Sequence, residues 1–335
     1  MNTKAEIIDV FDGKADTHPP AIFTQTGTVG QMDACGAAWP EANFDAAKMA
    51  ELALQPSRMF GFATVRIPFC ITVDADAYGC EVFPGTKSAQ PSVTGSRFRE
   101  DYGFIDPPAD LPTPEEFVKS KRVQTVLSAA EMLAKHDDLF FVTALNGPVA
   151  CIDNLLGMES VLMTLMMEPE RVTPWLDAVT PCLEEYARVL SEVSDDVMII
   201  EEGSDELFPA DYFDTVFTPY LPKVIGSAQK NAFCTTHTCG STREVASRFA
   251  SMGMDGISLE VSSDPEGYLE LIGGKTLALG AINPVETLMQ KTPADVVAAA
   301  KRSAELGFDF VTPECGVPPQ TPNENLQALA HYREL

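Results

Sequence analysis

Eight short runs of apolar and β-branched residues, set between stretches of helical period, constrain this chain more than any other feature. They are AIFT (21–24), TVRI (64–67), LFFVTAL (139–145), VMII (197–200), AFCTT (232–236), GISLE (256–260), TLALGAI (276–282) and DFVT (309–312). Between them stand segments such as TPEEFVKSKRVQTVLSAAEMLAKH, TREVASRFASMG and TPADVVAAAKRSAELG, each with a Ser or Thr near a plausible helix start. Strict alternation of strand and helix implies a parallel sheet. Eight such units predict closure into an α/β (β/α)8 TIM-type barrel, a single domain over residues 1–335 with an N-terminal extension. An open doubly wound sheet is the other arrangement the pattern allows, and the missing G-x-G-x-x-G turn after the first strand argues against it. From about residue 70 to 115 the pattern lapses into Gly, Pro, Ser and aromatic residues. A loop of that length after the second strand reads as a lid, a partner-facing hairpin or a surface insertion.

Net charge is −26, with the acids spread along the chain and not gathered in a tail. That balance argues against nucleic acid or an anionic membrane as partner, since phosphate binding needs basic patches. No run of eighteen apolar residues occurs, and the opening residues lack a signal-peptide pattern, so a soluble, cytoplasmic protein is expected. Eight cysteines are scattered singly, which fits a reducing compartment where most of them are small buried hydrophobes.

Two of those cysteines stand out. CTTHTCGSTREV (234–245) places His237 and Cys239 after one strand and before a helix, and FDFVTPECG places Cys315 after the last strand. In a barrel the C-terminal strand ends face the active site, and residues two apart on an extended segment share a face. An imidazole and two thiolates meeting there make a soft donor set suited to catalytic zinc, with a fourth position open. Spacing alone leaves a buried core histidine and core cysteines equally open. Glu260 ends the SLE strand and is a candidate fourth ligand, or an acid paired with a neighbouring base. Glu201, Glu202 and Asp205 form an acidic group after VMII that reads as a site positioning a proton acceptor or a cationic group, or as a solvated loop. A zinc already holding two protein thiolates is a poor Lewis acid toward carbonyls, so the chemistry leans toward activating a third thiol for alkylation.

These residues, together with QTGTVGQMDACGAAWPEA (25–42), GTKSAQPSVTG (85–95), LNGPVA (145–150), LGAINPVETL (279–288) and PECGVPPQTPNENLQAL (313–329), closely resemble the zinc-dependent methylcobamide:coenzyme M methyltransferases of methanogenesis. That family shares the uroporphyrinogen decarboxylase barrel. The resemblance covers nearly the whole chain and implies a methyltransferase with His237, Cys239 and Cys315 as zinc ligands and Glu260 as the exchangeable, catalytic fourth. It implies transfer of a methyl group from a methylcobamide, presented by a separate corrinoid protein, to the thiol of coenzyme M. No D-x-H-x-x-G corrinoid-binding segment is present in this chain, so the donor has to be a partner, docking on the N-terminal segment or the 70–115 loop. Coenzyme M carries a sulfonate, for which Arg66 is the candidate cation, with Gln25, Asn146 and Asn283 lining the pocket. The acidic IIEEGSDELFPADYF replaces an Asp-Pro segment of the family and leaves a different acceptor thiol open. The shared scaffold also leaves porphyrinogen decarboxylation as an alternative, although no Arg pair stands before residue 58 to clamp a polycarboxylate. A non-catalytic partner of a corrinoid protein is the third reading, and the intact ligand set counts against it.

Overall fold

The computed structural model describes residues 3–335 other than 101, 102, 105 and 209. Its strands are β1 (Thr64–Ile67), β2 (Glu81–Phe83), β3 (Ser92–Gly95), β4 (Arg99–Glu100), β5 (Gly103–Phe104), β6 (Phe140–Asn146), β7 (Asp196–Glu201), β8 (Phe233–Thr238), β9 (Gly256–Leu259), β10 (Leu277–Ile282) and β11 (Phe310–Pro313). Seven of them form one parallel sheet in the order β1-β6-β7-β8-β9-β10-β11, each pairing with its successor. Alternate residues face opposite sides. Val65, Phe141, Val197, Ile257 and Leu259 pack outward against the helices, while Phe140, Val142, Ala144, Met198, Leu279 and Phe310 cluster inside the curl.

At the N-terminal ends of the strands the inside is stoppered by helix α1 (Lys4–Phe11). Its Phe11 ring meets Phe140 at 5.6 Å, Phe233 at 4.4 Å and Phe310 at 5.0 Å between centroids, which shows how far the sheet curls. The backbone N–H groups at these ends are satisfied by a recurring device. Asp195 accepts from Phe141 N at 2.8 Å, Asp255 from Cys234 N at 2.8 Å and Asp309 from Ala278 N at 2.7 Å, each aspartate lying at the start of the neighbouring strand.

The expected first strand, AIFT, is not one. The segment makes a single bridge, Pro20 to Val311, with Ala21 N to Val311 O at 3.1 Å and Val311 N to Pro19 O at 3.2 Å. On its other side Ile22 N reaches only the Thr64 hydroxyl, at 2.9 Å. Pro19 and Pro20 have no N–H to extend a ladder, so the segment lies across the gap between β11 and β1 without becoming a strand. The structure is therefore an open, curled seven-stranded parallel sheet with N-terminal helices, where the sequence pattern predicts eight strands.

The helices follow their caps. Thr292 and Asp295 form a capping box for Pro293–Leu306, which ends at Gly307 with φ 95°. The long periodic segment from residue 113 splits into Pro114–Val118 and Lys121–Leu133. The 70–115 stretch contains a short helix, Val73–Ala77, and the antiparallel pair β2–β3, so a hairpin is present. Among the described residues no single helix is long and apolar enough to cross a membrane; only the pair Pro148–Leu156 and Met158–Met167 has the length and composition together, and it is bent by 108°.

Candidate metal centre and active site

The inner-face alternation carries the candidate residues to the C-terminal rim of the sheet. His237 lies on β8 in register with Ser258 of β9, and its Nδ1 is 3.1 Å from the Ser258 hydroxyl. That contact turns Nε2 toward the rim, where it stands 3.1 Å from Cys239 Sγ. Cys239 Sγ is in turn 3.5 Å from Cys315 Sγ, contributed by the loop after β11. The three donor atoms lie within 4.8 Å of one another, a grouping no other such residues match among those described. A tetrahedral zinc with bonds of about 2.0–2.3 Å holds its donors about 3.5–3.8 Å apart, and the His237–Cys239 and Cys239–Cys315 separations of 3.1 and 3.5 Å come within a few tenths of an ångström of that spacing. A hydroxyl on the far ring nitrogen is the outer partner that metal-bound imidazoles require.

Two thiolates this close cannot both stay charged without a cation, and the pair shares a proton. The hydrogen bond between the two sulfurs pushes the Cys315 thiol down, with His237 assisting against the opposing effect of burial. The same bond holds the Cys239 proton, and burial and the Cys315 charge push that thiol further up. A divalent cation substitutes for the shared proton and relieves the repulsion.

Cys315 is set from several sides. Thr24 Oγ1 donates to the Cys315 carbonyl at 2.8 Å, and Val317 N donates to Gln25 O at 2.9 Å. The Gln25 amide packs on Gly316 so closely that an added Cβ would stand 1.8 Å from Nε2, so a side chain there would displace that end of Gln25. Glu314 accepts from Val261 N at 2.8 Å, Ser262 N at 2.8 Å and Ser262 Oγ at 2.6 Å, and from Asn283 Nδ2 at 3.1 Å. One buried carboxylate thus ties the loops after β9 and β10 to the loop that carries Cys315.

Glu260, directly after β9, is half-buried and stands outside the three-donor group. Burial raises its carboxyl first, then the charges of Cys315 and Glu314, while the Gly240 N–H and His237 work against the rise. Arg66 points inward from β1 and is 2% exposed. One of its Nη atoms donates to the Pro68 carbonyl, Nε has no partner, and burial lowers its pKa to about 10. Among the described residues no carboxylate hydrogen-bonds or ion-pairs with it. Asn146 donates to Ile71 O at 2.7 Å and to Asp74 Oδ1 at 2.8 Å, leaving its own Oδ1 without a partner. Asn283 is absorbed in capping, accepting from Val285 N at 3.0 Å and Glu286 N at 2.8 Å.

The acidic group after VMII divides. Glu201 has the outward parity of Ile199 and accepts from Val149 N at 3.3 Å, Ala150 N at 2.7 Å and Glu202 N at 3.0 Å, so it caps the helix Pro148–Leu156. Asp205 accepts from Glu244 N at 3.0 Å. Glu202 faces the cluster, raised by burial and by Asp153 and stabilised in its charged form by His237. Ser258, Thr24 and Glu314 were not legible as site residues. Their roles come from strand register and loop-to-loop contact, and only the adjacency of Glu314 to Cys315 offered a signal.

The family model described as uroporphyrinogen decarboxylase (URO-D) matches residues 2–334. The chain is 32% identical over 338 residues to "Methylcobamide:CoM methyltransferase MtaA" of Methanosarcina barkeri, covering 99% of this chain and 97% of that one. It is 30% identical over 320 residues to "Methylcobamide:CoM methyltransferase MtbA" of Methanosarcina acetivorans, covering 94% and 92%. A solved structure, "methyltransferase from Methanosarcina mazei", superposes with a TM-score of 0.90 at 31% identity, covering 100% of this chain and 99% of that one.

Proposed function

The chain belongs to the uroporphyrinogen decarboxylase (URO-D) family, and from that premise we propose that it is a methyltransferase that moves a methyl group from a methylated corrinoid protein to a thiol, coenzyme M, at a zinc centre of His237, Cys239 and Cys315. The observation that carries the reading is the convergence of one imidazole and two sulfurs, from strands far apart in sequence, at the rim of the sheet. Zinc bound there supplies the charge that keeps an incoming thiol deprotonated at neutral pH while leaving it nucleophilic. The residues of the chain do the rest. Ser258 sets the imidazole, and Thr24 and Glu314 set the loop of Cys315. Glu260, half-buried directly after β9, is the exchangeable fourth ligand.

Arg66 binds the sulfonate. A buried guanidinium with an unpartnered Nε and no acid partner, in a chain of net charge −26, is well suited to an anionic ligand. Gln25, beside Gly316, and Asn146, with a free carbonyl oxygen, line the pocket, and Asn283 supports its wall through Glu314. Cys239 is exposed at the rim, which suits a methyl donor carried by a second protein. Helix α1 sits at the opposite end of the strands and is unsuited to docking that donor; residues 24–43, beside Cys315, and the β2–β3 hairpin remain the proposed surfaces. The protein would act in the cytoplasm.

The test is metal analysis joined to a methyl-transfer assay. About one zinc per chain is expected, with coenzyme-M-dependent demethylation of free methylcobalamin, and Cys239→Ala or Cys315→Ala should lose both. Active material without zinc, or zinc-loaded protein that leaves methylcobalamin unchanged in the presence of several thiols, would refute the proposal.

A further inference from the structure

We infer that Cys239 and Cys315 form an oxidative modification site, closing to a disulfide that removes two of the three metal donors and so switches the centre off. The metal half of this inference rests on the function proposed above; the cysteine half does not. Three observations carry it. The two sulfurs are 3.5 Å apart, and no other pair of sulfurs lies within hydrogen-bonding distance among the described residues. Cys239 is exposed and Cys315 half-buried, whereas Cys70, Cys80, Cys151, Cys182 and Cys234 are buried. Cys35, the remaining accessible thiol, is turned toward backbone carbonyls, with Met32 O at 3.9 Å and Ala37 O at 3.6 Å, and has no second sulfur to resolve it.

The chemistry balances with hydrogen peroxide as oxidant. One thiol of the pair is oxidised to a sulfenic acid as the peroxide O–O bond breaks and water leaves. The neighbouring thiol then attacks that sulfur, the S–O bond breaks, a second water leaves, and the S–S bond forms. Both electrons come from the two sulfurs, and a dithiol reductant returns them by exchange. A disulfide cannot serve as a pair of thiolate ligands, so of the three-donor group only His237 would remain.

The experiment treats the purified, zinc-loaded protein with a few equivalents of hydrogen peroxide. Released zinc is followed with a chromophoric indicator, and the cysteine peptides are mapped by mass spectrometry without reduction. The expected result is at least a tenfold rise in free zinc over untreated protein, together with a linked pair of peptides containing Cys239 and Cys315, lighter by about 2 Da than the sum of the two. A dithiol followed by zinc should restore the starting state. In Cys315→Ser the sulfenic acid has nothing to condense with and should be trapped by dimedone at Cys239; if that variant does not fold, the parent peptide map decides alone. Zinc retained with unlinked peptides, or oxidation that lands on Cys35 or stops at sulfinic acid, overturns the inference while leaving the metal centre standing. Protein that never held zinc yet forms the link supports the cysteine site and refutes the metal reading.

Discussion

Removing one hydroxyl should weaken zinc binding about 5- to 150-fold. Ser258 is 0% and His237 4% exposed, and the hydroxyl is 3.1 Å from Nδ1. Ser258→Ala would leave the ring N–H without an acceptor in a place water hardly reaches, at a cost of about 1–3 kcal/mol. With a factor of ten for each 1.4 kcal/mol, zinc affinity should fall about 5- to 150-fold, a span that brackets the usual effect of losing an outer partner. The same change should leave the protein folded, because the ladders joining β9 to β8 and β10 run through backbone atoms that alanine keeps. Competition against a chromophoric chelator reads the affinity, and circular dichroism confirms the fold. Affinity within twofold of the parent, in folded protein, would mean that the imidazole is held by something other than Ser258, and the account of the centre would fail.

Two further outcomes are expected. Arg66→Ala should raise the KM for coenzyme M about 10- to 100-fold, the worth of a charge-assisted hydrogen bond, while leaving the KM for an uncharged thiol nearly unchanged; an equal effect on both thiols would assign Arg66 a structural part only. Burial raises the Glu201 carboxyl from 4.5 to about 8, so the folded chain keeps a proton that the unfolded chain loses over that interval. The stability this contributes is complete below pH 4.5 and is lost as pH rises through 8, with a slope of at most about 1.4 kcal/mol per pH unit. Denaturant titrations across that range should show a flatter dependence for Glu201→Gln, and parallel curves would place the ionisation elsewhere.

Much of the architecture was legible because parallel strands buried on both faces leave continuous apolar runs, and seven of the eight runs are strands of one sheet. The eighth, residues 21–24, has the composition of a strand but follows two prolines, and pairing depends on donors that composition does not count. His237, Cys239 and Cys315 could be singled out because each follows a strand, and the topology carries such positions to one rim. Glu201 and Glu202 could not be separated in advance, since a shift of one residue sends a side chain to the opposite face. Ser258 was hidden for a related reason: it matters only through the register that sets it opposite His237.

The aromatic stopper at the far end carries a kinetic consequence. Phe11 is wedged among Phe23, Phe140, Phe233 and Phe310 and plugs that end, which leaves the exposed Cys239 end as the open mouth of the curl. A donor the size of a protein, seated there, shuts that doorway. On the function proposed above, the acceptor would then have to be aboard before the donor arrives, and turnover would follow a compulsory order.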